Sequence, residues 1–397
     1  AAILEEYARL LAIPNVASDA PNIRRNADWL VARLAGLGVA AELLELEGVP
    51  PVVLGRLDVP GATRTLALYA HYDGQPADAS KWQSPPWTPT LLTKAREAGG
   101  VFRPFPRAGE AIDPEWRLYA RSAGDDKAPL GALFPVLDAL AAAQVRPTSN
   151  LVFFFEGEEE ADSPHLGRFL ERYRAQLDDV DAWLFLDGPV HPSRRALIAF
   201  GVRGVIGTEL TVYGPLRSLH SGHYGNWAPV PGRLLAELLA SFYDADGRVA
   251  VAGFYDSVTP LGDAERAALA KLPNDDDALR RELGLAESEG GGVLAERLLL
   301  PSLTIQGLAS ANVGALAQNV IPATATANLG IRLVAGNDPE TMHELVEAHI
   351  AKQGFHLVRD EPDLATRRAH PKLVRVVRLE GYPAARTPMD LPIAKSV

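Results

Sequence analysis

The apolar and polar positions along the chain follow two different patterns, and the change falls near residue 195. Before it, short continuous apolar runs such as LVFFF at 151–155 alternate with segments of helical period. Runs of this kind are typical of strands buried on both faces of a parallel sheet that helices cover. The pattern therefore predicts an α/β domain with a doubly wound, mostly parallel sheet over residues 1–194. Within it, the segments 49–58 and 63–74 are predicted to be neighbouring strands.

After residue 195, segments such as ALIAFGVRGVIGTELTVYG alternate apolar and polar residues. This alternation is typical of half-exposed antiparallel strands. Two segments of helical period, at 230–243 and 338–355, accompany these strands. The pattern predicts an α+β domain over 195–384, in which two helices cover one antiparallel sheet. The last residues, DLPIAKSV, have the pattern of a helix that stops where the sequence stops.

Composition narrows the range of partners. The chain has 397 residues, of which 47% are hydrophobic, and a formal net charge of −11. This acidity argues against a nucleic acid or an anionic membrane as partner, and we see no apolar span or signal peptide. The sequence contains no cysteine, so any metal would be held by His, Asp and Glu. We therefore expect a cytoplasmic protein without a nucleic-acid or membrane partner.

Acidic residues crowd the ends of the predicted strands. Four glutamates, at positions 156, 158, 159 and 160, follow the run 151–155. They would repel one another in a pocket without a cation. The strand before residue 75 ends in His71 and Asp73, and the period of two places these residues on the same side. The open question is which of these acids face a metal and which are solvated.

Several of the acids also have an ordinary structural explanation. Asp125 or Asp126 would suit the N-cap of the next predicted helix, since Asp is common there. Asp187 precedes a glycine, as turn residues do, and Asp73 would suit a plain hydrogen-bond partner of His71. Together, however, they lie at the carboxyl ends of predicted core strands, where open α/β sheets bind ligands. One imidazole with several carboxylates and no thiolate suits zinc, manganese or cobalt in a hydrolase.

Four motifs carry a resemblance to a known family: HYDGQP, ARSAGDDKAP, FFFEGEEEADS and LDG, in this order. They resemble the zinc-dependent aminoacylase and carboxypeptidase family, which includes acetylornithine deacetylase, succinyl-diaminopimelate desuccinylase, carboxypeptidase G and the carnosine-type dipeptidases. Two later segments, LHSGHYGNW and QNVIPATATANLGIRLVAG, resemble the family's lid domain and are closest to its dipeptidase branch. The resemblance covers nearly the whole chain.

The resemblance implies a catalytic domain with an inserted ferredoxin-like lid through which the protein forms a homodimer. It implies a binuclear metal-dependent hydrolase that cleaves a dipeptide or a small peptide-like substrate with a free carboxylate. The metals are expected to be zinc, with manganese or cobalt as alternatives. Two alternative functions remain open: a deacylase for N-acyl amino acids, and a non-catalytic dimeric binding or scaffold protein.

Carried over residue by residue, the family pattern implies a set of metal ligands. His71 and Asp187 would bind the first metal, and Asp125 would bridge both metals. Glu160 would bind the second metal. The peptide bond after the bridging acid is cis in this family, which makes Asp125–Asp126 the expected cis bond.

The same pattern implies catalytic and substrate-binding roles. Asp73 would orient the imidazole that binds the first metal, and Glu159 would be the general base. His220 would reach across the dimer to the substrate's carbonyl group in the partner's site. Asn319 and Arg332 would bind the carbonyl and carboxylate end of the substrate, since a guanidinium fork matches a carboxylate. The alternative for Arg332 is an ordinary exposed position on a strand.

The sequence departs from the family pattern at several points. Ala120, Ser122 and Ala128 stand where glycine is usual around the bridging acid, and Asp162 replaces the glycine after the paired glutamates. Relatives also continue past the lid to a final histidine that binds the second metal, but no histidine follows His370. We therefore expect the second metal site to be incomplete in this sequence. We expect 385–397 to begin a return to the first domain whose remainder, with the histidine, is absent.

The remaining acids and histidines receive no role at the site. Glu156 and Glu158 are predicted to be solvated, or to lie behind the metal ligands. His343 and His349 are six residues apart on a predicted helix, where they would point to different faces, so we expect a solvated amphipathic helix and no shared metal. No function is assigned to the other histidines outside the motifs, which are His165, His191, His356 and His370.

Overall fold

The computed structural model describes residues 1–188, 190 and 194–395, so His191 lies outside the described residues. The chain divides into two compact units, Ala1–Leu197 and Ile198–Val397. Of the described helices, none has both the length and the apolar character that crossing a membrane requires.

The first unit is built on a five-stranded sheet. The strands of the first unit, five of which form this sheet, are β1 (Ala40–Leu44), β2 (Val52–Leu57), β3 (Thr65–His71), β4 (Thr90–Leu92), β5 (Arg117–Tyr119), β6 (Asn150–Glu156) and β7 (Ala182–Phe185). Its helices are α1 (Ala2–Leu11), α2 (Ala20–Ala35), α3 (Lys127–Ala142) and α4 (Leu166–Arg172). The main sheet has the order β1-β2-β6-β3-β7, and β4 pairs with β5 in a separate two-stranded antiparallel sheet.

Four strands of this sheet run in one direction and β2 runs against them, because β2 is antiparallel to both β1 and β6. The mostly parallel sheet is therefore confirmed. The prediction that 49–58 and 63–74 form neighbouring strands is wrong, since β6 lies between β2 and β3. The physical reason is burial: β6 is apolar on both faces and takes the central position.

Helices cover both faces of this sheet, as a doubly wound fold requires. Phe153 and Phe155 point to the face where α2 and α3 pack, and Phe154 points to the opposite face with Phe169 of α4. The three neighbouring phenylalanines of β6 are each at most 1% exposed. Successive side chains of a strand point to opposite faces, so an unbroken apolar run fits a strand buried on both sides.

The second unit contains its own sheet. Its strands are β8 (Gly201–Val202), β9 (Gly204–Tyr213), β10 (Leu219–His220), β11 (Ser302–Ala309), β12 (Val320–Ile321), β13 (Thr324–Leu333), β14 (His356–Val358), β15 (Leu373–Tyr382) and β16 (Ala385–Arg386). Its helices are α5 (Ser221–Tyr224), α6 (Pro231–Ser241), α7 (Asp263–Leu269), α8 (Asp276–Leu283), α9 (Leu294–Arg297), α10 (Pro339–Lys352) and α11 (Leu364–Ala369).

The main sheet of the second unit has the order β11-β13-β9-β15-β14, and all pairs except β14–β15 are antiparallel. Leucines of α6 and apolar residues of α10 pack with alternate residues of β9 and β13 in one core. The predicted α+β architecture, with two helices on one sheet, is thereby confirmed. Ala385–Arg386 pair with β8 inside this unit, and the return of 385–397 to the first domain stays a prediction.

The histidines of α10 are buried, so the prediction that they are solvated is wrong. His343 Nδ1 lies 3.3 Å from Thr208 Oγ1, and His349 Nε2 lies 2.9 Å from Ser241 Oγ. Both residues are less than 10% exposed because they share the side of the helix that faces the sheet with the apolar residues. They contact different elements, His343 the strand β9 and His349 the helix α6.

Candidate metal centre

The imidazole of His71 is the meeting point of the predicted acids. His71 ends β3, and the parallel strands β6 and β7 on either side of β3 end at the same edge of the sheet. Its Nε2 atom lies 3.0 Å from Asp125 Oδ1, 3.7 Å from Glu159 Oε2 and 3.8 Å from Asp187 Oδ2. Sequence reasoning had placed these three acids at the edge where His71 stands, and the structure brings them together.

Asp73 connects the imidazole to the turn that carries the paired glutamates. It is completely buried, and its Oδ1 lies 3.3 Å from His71 Nδ1, which is the separation of an ion pair but lacks the angle of a hydrogen bond. Its carboxylate also accepts backbone hydrogen bonds from Glu159 (3.1 Å) and Glu160 (3.0 Å). One buried carboxylate therefore fixes both the ring and the position of the two glutamates.

Asp126 is a site residue that sequence reasoning missed. Its Oδ2 accepts a hydrogen bond from the backbone N–H of His71 at 3.0 Å, and the residue is 2% exposed. It occupies the N-cap position of α3, yet its side chain caps nothing. Ligand atoms of His71, Asp126 and Asp187 lie within 4.8 Å of one another. The Asp125–Asp126 peptide bond is cis, as predicted.

The electrostatics of this cluster favour a cation. Burial raises the pKa of Glu159 to about 7, against the attraction of His71 and with added repulsion from the neighbouring carboxylates. Burial likewise raises the pKa of Asp126 to about 7 and raises the pKa of Asp187. Burial alone would lower the pKa of His71, but Asp73 and the other acids outweigh it and raise this pKa to about 10. An imidazole ringed by carboxylates that cannot all ionise fits a divalent cation.

The other acids after β6 have separate contacts. Glu160 Oε2 accepts a hydrogen bond from Gln75 Nε2 at 2.7 Å, beside the cluster. Glu156 and Glu158 are 1% and 4% exposed, so the prediction that they are solvated is wrong, and the alternative that they lie behind the ligands fits. Glu156 accepts from the Tyr69 hydroxyl, while Glu158 accepts from the backbone and ring of His165 at the start of α4. Glu156, the last residue of β6, and Glu158, two residues beyond it, are thus both turned away from bulk water.

The predicted substrate-binding residues all lie in the second unit, at two places. His220 ends β10, which pairs with β12, and the Ser221 N–H donates to the Asn319 carbonyl oxygen at 3.0 Å. This pair of strands lies at the Thr324 end of β13, since β12 directly precedes β13 in the chain, whereas Arg332 lies near the other end. Eight residues of strand separate Thr324 from Arg332, or about 27 Å at ~3.4 Å per residue. The structure thus joins His220 to Asn319 but not to Arg332 within one chain.

The tautomer of His220 follows from its local contacts. The backbone N–H of Gly222 donates to His220 Nδ1 at 3.1 Å, so in the neutral ring the proton resides on Nε2. The ring of His223 stacks on it, with centroids 4.5 Å apart. His220 and Arg332 are both exposed. Within the part of the chain that the structure describes, no acceptor contacts the Nε2–H of His220, so it can donate a hydrogen bond to a ligand.

Comparisons with known proteins agree with this arrangement. Residues 67–196 match the family described as "Peptidase family M20/M25/M40", and residues 200–357 match the "Peptidase dimerisation domain" of the M20 peptidases. The Cys-Gly metallodipeptidase of Schizosaccharomyces pombe is 28% identical over 386 residues, which cover 91% of this chain and 75% of that protein. The Beta-Ala-His dipeptidase of Homo sapiens is 28% identical over 308 residues, which cover 76% of this chain and 56% of that protein.

A solved structure shows the same fold. The M20 family metallo-carboxypeptidase Sso-CP2 from Sulfolobus solfataricus superposes with a TM-score of 0.75 at 26% identity, and the match covers 99% of this chain and 81% of that one. The two family matches agree with the two relatives named above. The cluster of His71, Asp126 and Asp187 also suits a metallopeptidase. The chain belongs to the M20 peptidase family, as a metallodipeptidase homologue that carries the family's dimerisation domain.

Proposed function

We propose that the protein is a binuclear metallopeptidase that cleaves the amide bond of a dipeptide, or of a similar small substrate with a free carboxylate. The observation that carries this proposal is the buried Asp73, which contacts His71 and holds the Glu159–Glu160 turn. A metal ligand and a proton acceptor are thereby placed within 3.7 Å of each other. The relatives named as dipeptidases support the choice of substrate class.

The donor set suits two divalent ions. We assign His71 and Asp187 to the first ion, Asp125 to both ions and Glu160 to the second. The carboxylate and imidazole donors suit zinc, manganese or cobalt, and the resemblance to zinc-dependent enzymes makes zinc the first choice. When bound, such ions polarise the scissile carbonyl and lower the pKa of the attacking water. Asp126 supports the site from behind, because its carboxylate holds the backbone of His71.

We assign the transfer of the proton from water to the leaving group to Glu159. Its Oε2 lies 3.7 Å from His71 Nε2, on a turn that the Asp73 carboxylate holds through two backbone hydrogen bonds, so the carboxylate is placed to accept a proton beside the assigned metal ligands. It takes the proton of the attacking water and passes it to the nitrogen of the leaving amine. A non-catalytic binding protein would have no need of an acid held in this position, so the arrangement favours an enzyme over a scaffold.

His220, Asn319 and Arg332 are assigned to the substrate, and their separation supports a homodimer. A dipeptide spans only about 7 Å when extended, so residues at opposite ends of β13 in one chain cannot both contact it. We propose that His220 and Asn319 come from one subunit and Arg332 from the other. His220 then donates from Nε2 to the oxyanion, while the guanidinium of Arg332 binds the substrate carboxylate.

The test of the activity pairs two substitutions. Glu159→Gln removes the proton acceptor and keeps its size, so kcat should fall by roughly 10²- to 10⁴-fold. Metal content, measured by elemental analysis, should stay unchanged. Asp162→Asn is the matched control, since it makes the same chemical change at an exposed residue three positions away. Equal kcat values for Glu159→Gln and the wild type would refute the assignment.

A substrate panel separates the peptidase from the deacylase. Wild-type protein, loaded with zinc, manganese or cobalt, is incubated with dipeptides and with N-acetylated amino acids, and released amino acids are quantified. A dipeptidase releases amino acids from the first group only. Turnover confined to N-acetylated substrates would replace the proposed function with that of a deacylase.

The shared site is tested by mixing two inactive variants. His220→Ala and Arg332→Ala should each lose activity as pure proteins, because every site then lacks one substrate contact. Co-expressed, they form mixed dimers in which one of the two sites is intact. Random mixing should restore about a quarter of the wild-type activity. No recovery, with mixed dimers shown by mass spectrometry, would refute the sharing of substrate residues between subunits.

A further inference from the structure

We infer that Asn15 is a positioning residue of the metal centre. Its side chain connects two loops, and each loop carries metal ligands. The inference rests on the proposed function. Asn15 lies in the connection between α1 and α2, far from the ligands in sequence, and it is completely buried.

The side-chain amide of Asn15 contacts both ligand loops. Its Nδ2 donates to the Tyr72 carbonyl oxygen at 2.8 Å, between His71 and Asp73, and to Ser122 Oγ at 2.9 Å, at the start of the loop that carries Asp125. Its two N–H groups are therefore both used. A single planar amide thus joins the end of β3 to the loop before α3.

Two further hydrogen bonds hold Asn15 itself in place. The Trp87 indole N–H donates to Asn15 Oδ1 at 3.1 Å, which fixes the direction of the amide. The Gly74 N–H donates to the Asn15 carbonyl oxygen at 2.8 Å. The packing is tight, because a Cβ atom at Gly74 would stand 2.2 Å from Ser122 Oγ and 3.0 Å from Asn15 Nδ2. The amide has little freedom to turn or shift.

Ser122 explains why this chain depends on such a fastening. Its φ angle is 61°, in the left-handed region that favours glycine, and the residue is 4% exposed. Its carbonyl oxygen accepts from the Lys127 N–H at 3.1 Å, across the loop with Asp125 and Asp126. The hydrogen bond from Asn15 holds the serine in this unfavourable conformation. Metal ligands must keep their places to within about 0.5 Å, so loss of the bond should move Asp125 relative to His71.

The test measures metal binding rather than turnover. Asn15→Leu keeps the approximate size of the side chain and removes all its hydrogen bonds. Co²⁺ affinity of the full chain is measured by competition with a chelator, and the visible spectrum of bound Co²⁺ reports the ligand geometry. We expect affinity to fall by about 10- to 100-fold, with a changed spectrum.

Two further variants separate positioning from stability. Asn150→Leu removes a half-buried amide that bonds Val59 and Thr65 near the start of β3 and β6, so it should lower the melting temperature without changing Co²⁺ affinity. Trp87→Phe removes the donor to Asn15 Oδ1 and keeps an aromatic side chain, and it keeps the test decisive if Asn15→Leu does not fold. Its Co²⁺ affinity should fall by about two- to tenfold.

The outcomes are distinguishable. Unchanged affinity and spectrum in the folded Asn15→Leu variant, or in Trp87→Phe if Asn15→Leu does not fold, would refute the positioning role and leave the proposed function intact. Equal losses of affinity in Asn15→Leu and Asn150→Leu would refute it as well, since the effect would then be general destabilisation. A wild-type protein that binds no Co²⁺ would refute the metal centre itself, and this inference with it.

Discussion

The buried Lys127 offers the sharpest test of how the site is supported. It directly follows the Asp125–Asp126 pair, and it is completely buried. Its Nζ donates to the Leu10 carbonyl oxygen at 2.9 Å, to the Ile13 carbonyl oxygen at 3.1 Å and to Asn26 Oδ1 at 2.6 Å. These contacts use all three donors of the ammonium group. We predict that Lys127→Met destabilises the first unit.

The magnitude follows from the acceptors that the methionine leaves behind. The Leu10 oxygen keeps a second donor, the N–H of Ile13 at 3.3 Å. Among the described residues, the Ile13 oxygen and Asn26 Oδ1 are therefore the two acceptors left without a donor. Each such buried acceptor costs about 1–3 kcal/mol. Burial lowers the pKa of Lys127 to about 7, which shows that the ammonium itself is held at a cost, and its removal offsets part of the loss. We expect a net loss of about 3 kcal/mol.

Urea unfolding followed by tryptophan fluorescence measures this loss. Of the six tryptophans only Trp227 lies after residue 197, so the signal reports mainly the first unit. Lys81→Met is the matched control: its side chain is 81% exposed, and its replacement should change the free energy of unfolding by less than about 0.5 kcal/mol. A loss below about 1 kcal/mol for Lys127→Met would refute the reasoning, because the two acceptors would then have found other donors.

Three further predictions concern the site and the second unit. Asp73→Asn should weaken metal binding by about 10- to 100-fold, measured as metal retained after dialysis, because the imidazole and the glutamate turn lose a shared anion. Burial lowers the pKa of His349, so the unfolded state takes up its proton first as pH falls below about 6.5. His349→Gln should therefore reduce the loss of stability between pH 7 and pH 5, measured by urea midpoints. Burial alone would raise the pKa of Glu347, but hydrogen bonds from Arg359 and Arg378 outweigh it and lower the pKa to about 2. Glu347→Gln should cost about 1 kcal/mol at neutral pH, and this difference should shrink as pH falls from about 4.5 towards 2.

Each of these predictions has a contrary result. Full metal retention in Asp73→Asn would show that the imidazole of His71 binds the metal without help from the Asp73 carboxylate. Identical pH slopes for wild type and His349→Gln would mean that this histidine titrates alike in both states. A Glu347→Gln penalty that persists unchanged at pH 3 would assign the effect to packing instead of charge.

Periodicity and position at strand ends were enough to predict much of the fold and the site. His71, Glu159 and Asp187 converge because the parallel strands β3, β6 and β7 end at one edge, which is a general property of such sheets. Asp125 joins them from the loop that precedes α3. The boundary between apolar runs and alternating segments reflects a real difference: one sheet is covered on both faces, the other on one. These features depend on local patterns that a sequence displays directly.

What sequence reasoning missed depends on long-range contacts. From the sequence alone, Glu156 and Glu158 look solvated, because a strand end is often exposed. They are buried because the strand that precedes them lies at the centre of the sheet. Histidines on a mixed helix face likewise look exposed until the sheet that covers them is in place. Asn15 gave no signal at all, since its partners are 57 to 107 residues away.

The central position of β6 also bears on how the protein fails. LVFFF is a short, uncharged run of strong β formers, the type of segment that assembles into intermolecular sheets when it is exposed. In the native fold it has no free edge, because β2 and β3 pair with it on both sides. Heating that opens the sheet should therefore lead to aggregation and to a melting temperature that depends on scan rate. The cluster of glutamates after the run would then have a second benefit, as charged gatekeepers that slow this aggregation.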